Sequence, residues 1–189
     1  DYILADPEGG AFLEELCEHH VSGQLKIAPE HVSSKVLARM RKSPRETTEA
    51  FVRAYRETNE RLGKKQFLVP YFMSAHPGSG LAESLELAEF IRDVGIRPEQ
   101  VQEFAPTPGT LATCMYHTGL DPMTGTPVYV PKDREERAMQ RALLQYWMPE
   151  NEALVRKALV KLRRPDLIGN GRKCLVPDRD KGRFISKKR

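Results

Sequence analysis

Phe67-Leu68-Val69-Pro70-Tyr71-Phe72-Met73 runs directly into Ser74-Ala75-His76-Pro77-Gly78-Ser79. The first seven residues form a near-continuous apolar run, the pattern of a strand buried on both faces. Pro70 lacks a ladder donor, so it either weakens that strand or places a bulge there. The six residues that follow are turn and helix-start chemistry. The same succession occurs twice more: a strand at 24–28 opens into Ala28-Pro29-Glu30-His31, and one at 101–105 opens into Ala105-Pro106-Thr107-Pro108-Gly109-Thr110. Strand–helix–strand units of these lengths make a parallel sheet. Loops after parallel strands open on one face, where ligands collect, so three such loops predict one composite site.

Helices are legible between and beyond the strands. Asp6 and Pro7 start one that runs through Phe12, Leu13, Leu16 and Cys17 to about His20. Ser33 or Ser34 caps a second, bearing Val36, Leu37 and Met40. Ser43-Pro44-Arg45-Glu46 reads as a capping box with proline in the first helical position; a Phe51, Tyr55, Thr58, Leu62 stripe follows, and Gly63 stops it. Leu81, Leu85, Ala88 and Ile91 mark another helix, ending near Gly95. After Thr110 the rhythm changes to a short helix over 111–118 and a hairpin or Ω-like turn at 121–131. A helix capped by Asp133 and Glu136 then runs to Tyr146, and another runs from Pro149 to about Leu162.

Bulk composition excludes several classes. With 40% hydrophobic and 30% charged residues, and no run near the ~20 apolar residues of a membrane span, the chain reads as cytoplasmic, with no membrane partner. The net charge of +4 is unevenly placed. Residues 172–189 carry eight Lys/Arg against two Asp, a net of +6, which leaves −2 for residues 1–171. The basicity belongs to a tail expected to be disordered, with RNA as a possible partner. Cys17, Cys114 and Cys174 are widely spaced, which argues against a disulfide framework or a self-contained metal site. Asp1-Tyr2-Ile3-Leu4 reads as the end of a strand, so the chain is expected to be a fragment.

Each motif has two readings. The 74–79 loop can bind phosphate at a helix N-terminus, or Ser79 can simply cap that helix. Glu30 can accept from a ligand amine or ribose, or favour the positive end of the next helix. Residues 106–110 either expose backbone to a ligand or stiffen a connection. The five histidines lack metal-ligand spacing, and no metal is expected in this chain.

Taken together, several words resemble the YgiQ-type family of radical S-adenosylmethionine (SAM) proteins. They are Leu25-Lys26-Ile27-Ala28-Pro29-Glu30-His31, Val69-Pro70-Tyr71-Phe72, Ala75-His76-Pro77-Gly78, Glu99-Gln100-Val101-Gln102, Met115-Tyr116-His117-Thr118-Gly119 and Lys173-Cys174-Leu175. The resemblance implies an α/β fold: the C-terminal half of a partial (β/α)6 barrel over 1–112, a helical extension over 113–171 and the tail over 172–189. It implies SAM contacts from Glu30 at the end of the fourth barrel strand and from Lys42, twelve positions on, along the following helix. Pro70, Phe72 and His76 would line the adenosyl group, and Phe104 and Thr107 would lie at the adenine. His31, His76, Tyr116 and His117 are candidates for substrate contact or proton transfer. The family's C-x3-C-x2-C loop, which binds a [4Fe–4S] cluster, is absent from these residues. The resemblance therefore implies a radical enzyme in the full-length protein, served by a donor such as flavodoxin or ferredoxin and acting on an unknown substrate, with this piece inactive alone. A non-catalytic nucleotide- or RNA-binding module using the basic tail is the alternative.

Overall fold

The parallel strands expected from the sequence form. The computed structural model describes residues 2–98 and 100–178, with three strands: β1 (Gln24–Glu30), β2 (Phe67–Ser74) and β3 (Val101–Glu103). They make one parallel sheet in the order β1-β2-β3. The chain divides into two compact units, Asp1–Phe72 and Met73–Arg189, with the boundary inside β2.

In the first unit, α1 (Tyr2–Ala5) and α2 (Gly9–Glu15) precede β1, and α2 continues into a π-turn, Leu16–His20. Residues 2–5 are therefore helical, where a strand end was expected. Asp6 does not cap from the first turn: its Oδ1 accepts from the Glu8 N–H at 2.9 Å, and the helix begins three residues later than Asp6. After β1 come α3 (Ser34–Met40) and α4 (Arg45–Arg61). Pro44 is the N-cap of α4, outside the helix, so the proline does not take the expected first helical position. Leu13, Cys17 and Tyr55 form the core between these helices, with Phe51, Leu62, Leu25 and Leu68 packed on it.

β1 and β2 pair in register from Gln24↔Phe67 to Ile27↔Pro70, and then Glu30↔Phe72. Three steps on β1 match two on β2, so the extra residue lies on β1, opposite the proline rather than at it. β2 is not buried on both faces: Pro70, Phe72 and Ser74 are buried, while Phe67 is 66% exposed. Alternation of this kind is the signature of a half-covered strand.

In the second unit, α5 (Leu81–Val94) leads to β3, α6 (Leu111–Thr118), α7 (Arg134–Leu144) and α8 (Glu152–Lys161). Packing of α5 on α7 and of α7 on α8 buries Leu85, Ala88 and Ile91 with Met139, Leu143, Leu144, Val155 and Leu159. The expected turn at 121–131 is closed by a Leu120↔Pro127 bridge and by Gly125 at φ 68°. Asp133 Oδ2 accepts from the Glu136 N–H at 2.8 Å, as the capping pattern requires. Of the basic tail, residues 179–189 lie outside the described residues. Leu175 and Val176 are buried, and Val176 bridges to Ile168.

Candidate functional site

Two clusters carry the residues singled out by sequence, one in each unit. The first is a closed turn built from β1, α3 and the residue after α3. Glu30 ends β1 at φ 62°, a left-handed conformation that costs an L residue roughly 1–2 kcal/mol. Strain of this kind on a non-glycine residue collects at functional sites. The next residue, His31, is 1% exposed, and its Nδ1 accepts from the Val32 and Ser33 N–H groups, each at 3.0 Å. The imidazole thus satisfies donors at the start of α3, where the Ser33 side chain makes no capping bond.

Helix α3 ends at Arg41, which is also left-handed at φ 54°. The Arg41 N–H donates to Ala38 O at 3.3 Å and the Lys42 N–H to Leu37 O at 3.0 Å. This double bond turns the chain back on itself. Lys42 therefore lies just past the helix, where the family resemblance implied a place along it. Its Nζ donates to the Ala28 carbonyl at 2.7 Å and pairs with Glu30 Oε1 at 3.1 Å. Ile27, Pro29, Arg41, Lys42, Ser43 and Phe51 help to line a groove of about 580 Å³ at this end of β1. Phe72, fully buried, stands opposite Glu30 in register, and buried Pro70 stands opposite Ile27. Burial, and secondarily the Glu30 charge, push the Tyr71 hydroxyl above its ordinary pKa.

The second cluster begins where β2 ends. Ala75 is left-handed at φ 60°, and His76 is 4% exposed. His76 Nδ1 lies 2.8 Å from the Pro77 carbonyl. A carbonyl can only accept, so Nδ1 carries the proton. The His76 ring meets Phe104 edge-on at 5.2 Å, Phe104 meets Tyr116 at 5.8 Å, and Tyr116 meets His117 at 5.3 Å. These four residues form a continuous row from the buried His76 to the exposed His117. Thr107 is exposed, and both its backbone groups bond Thr113 Oγ1, at 2.8 and 2.7 Å.

Ser79 does not cap α5; Gly80 is its N-cap, and the Gly80 N–H donates to Glu83 Oε2 at 3.0 Å. Glu136 Oε1 approaches the same glycine. Two carboxylates at this helix start repel an anion, which counts against the phosphate reading of the 74–79 loop. Among the described residues, no group of three or more His, Cys, Asp or Glu side chains is placed to hold a metal ion. Cys17, Cys114 and Cys174 are free thiols, and none of the described helices is long and apolar enough to cross a membrane.

Sequence reasoning missed His31 as a cap, because histidine is not a favoured capping residue. It also missed Gln140, which holds the 74–79 loop. Its one signal was spacing: Gln140 falls three and four positions before the buried Leu143 and Leu144, on the core face of α7.

A family model described as a domain of unknown function, DUF3362, matches residues 99–187. A UPF0313 protein of Clostridium perfringens is 57% identical over 95% of this chain, which covers 27% of that protein. A UPF0313 protein of Clostridium botulinum is 54% identical over 94% of this chain and is covered over 28% of its length. The chain thus spans little more than a quarter of the curated relatives it matches. At this identity over nearly every residue, the chain belongs to the UPF0313, or YgiQ-type, family.

Proposed function

We propose that the chain is the C-terminal portion of a radical SAM enzyme and that the 28–42 turn holds the amino-acid end of SAM. The observation that supports this reading is the Glu30–Lys42 pair, 3.1 Å apart at the carboxyl end of a parallel strand and beside a groove of about 580 Å³. A carboxylate and an ammonium held side by side complement a zwitterionic α-amino acid: Lys42 takes its carboxylate and Glu30 its ammonium. Because the two charges cancel, the site favours a zwitterion over a simple anion. The groove volume is within the ~300–1,000 Å³ usual for small-molecule sites. Pro29, Ile27 and Phe51 give it an apolar wall.

The donor set fits SAM, but the described residues do not fit a [4Fe–4S] cluster, since no three thiols or other ligands converge. The cluster ligands would come from the longer protein, and with that cluster reduced, SAM supplies hydrogen-atom abstraction from a substrate. Electrons would reach the full-length protein from a carrier such as flavodoxin or ferredoxin. This chain's own part is to bind and orient. Lys42 fixes the carboxylate, Glu30 the ammonium, and His31 holds the start of the helix between them.

The test is SAM binding to the full-length protein by anaerobic calorimetry. Micromolar affinity should fall at least about tenfold in Lys42→Ala, the loss of one charged hydrogen bond, and fall again in Glu30→Ala. Affinity unchanged in both variants would remove the 28–42 turn from the site.

A further inference from the structure

The loop after β2 is held from behind by the region matched as a domain of unknown function. Gln140 on α7 is fully buried. Its Oε1 accepts from the Ala75 N–H at 3.1 Å, Ser84 Oγ at 3.1 Å and Ser79 Oγ at 3.3 Å. Its Nε2 donates to the Ser79 carbonyl at 3.0 Å and to Glu136 Oε1 at 3.2 Å. One side chain thereby grips both ends of the loop that carries His76. A second attachment comes from the segment before α7: the Gly78 N–H donates to the Tyr129 carbonyl at 2.7 Å, and the Tyr129 hydroxyl donates to Glu136.

We propose that α7 and the segment leading into it form a brace that presets the β2–α5 loop, with Gln140 as its positioning residue. Ala75 shows why a brace is needed. Its left-handed backbone is not a conformation that alanine prefers, so its N–H points where it does only because an acceptor waits there. The amide of Gln140 is that acceptor. Releasing it lets Ala75 relax, and His76 follows, since it is the next residue. A buried network that is fully joined rigidifies its surroundings, whereas one that is partly broken becomes a weak point. The proposal gives the C-terminal helical region a task at the loop face of the sheet, and it stands whether or not SAM is the ligand.

Hydrogen exchange on the full-length protein tests it. In Gln140→Met, which keeps the volume and removes every bond, exchange over 74–80 should rise at least about tenfold, while residues 85–94 of α5 stay within about threefold of wild type. Selective ¹⁵N-histidine labelling reads the same event at His76, identified by the signal lost in His76→Gln. Its Nδ1-protonated signature should shift toward the aqueous mixture in Gln140→Met. If that variant does not fold, Gln140→Glu keeps an acceptor for Ala75 and loses the donation to Ser79, and the 74–80 segment should loosen to an intermediate degree. Exchange over 74–80 unchanged from wild type in whichever variant folds would overturn the brace. So would acceleration spread evenly along α5 and α7, which is the mark of general destabilisation.

Discussion

Replacing His31 with leucine should loosen the first turn of α3 far more than the loss of one buried ring would suggest. The imidazole is 1% exposed and accepts two backbone N–H groups at 3.0 Å, those of Val32 and Ser33. Leucine fills a similar volume but accepts nothing, so both donors are left buried and unpaired. Each orphaned donor costs about 1–3 kcal/mol. Two therefore cost at least about 2 kcal/mol, roughly thirtyfold in the equilibrium for opening that turn. The assay is hydrogen exchange of the full-length protein over residues 31–42, compared with β2 as an internal reference. The loosening should reach Lys42, because α3 carries the chain from His31 back to Glu30, and SAM affinity should drop with it. Protection over 31–42 within about threefold of wild type would refute the capping role, since two orphaned buried donors cannot cost so little.

Two further outcomes follow from burial and charge. Tyr129 is half-exposed, but partial desolvation of its hydroxyl, then the hydrogen bond to Glu136, push it up to about 12. The folded pKa is raised, so the stabilisation is complete below the free-tyrosine value of about 10 and is lost as pH climbs from there to about 12. Ultraviolet titration of wild type against Tyr129→Phe should show one tyrosine ionising late, and a difference curve centred near 10 would contradict this. Cys17 is fully buried, and burial raises its thiol pKa against the weaker opposing effect of the Asn59 hydrogen bond. Maleimide should therefore label the half-buried Cys114 and Cys174 first, as read by peptide mass, and equal rates at all three would contradict the packing.

Short-range chemistry was the legible part. Helix α6, the Leu120–Pro127 turn and the Asp133 cap formed where residue preferences put them, because each depends on atoms within a few residues. Long-range partners were not legible. Glu30 and Ala75 are left-handed without being glycine, so nothing in their type announces the turn. Lys42 was picked out only through the family resemblance, twelve positions after Glu30, and its position beyond α3 depends on Arg41 closing the helix. The 67–73 run looked buried on both faces because apolar content alone does not reveal which face is covered. Phe67 at its start is left largely exposed. Sequence alone did not single out Gln140, since its partners in and beside the 74–79 loop lie 56 to 65 positions away.

The central claim is tested most directly by anaerobic incubation of the reconstituted full-length protein with SAM and a low-potential reductant, followed by chromatography for 5′-deoxyadenosine. The account predicts 5′-deoxyadenosine from the wild type and at least about a tenfold lower yield from Lys42→Ala at subsaturating SAM, matching the lost charged contact. A cluster-loaded protein that forms none, or one whose yield ignores Lys42, would contradict the account.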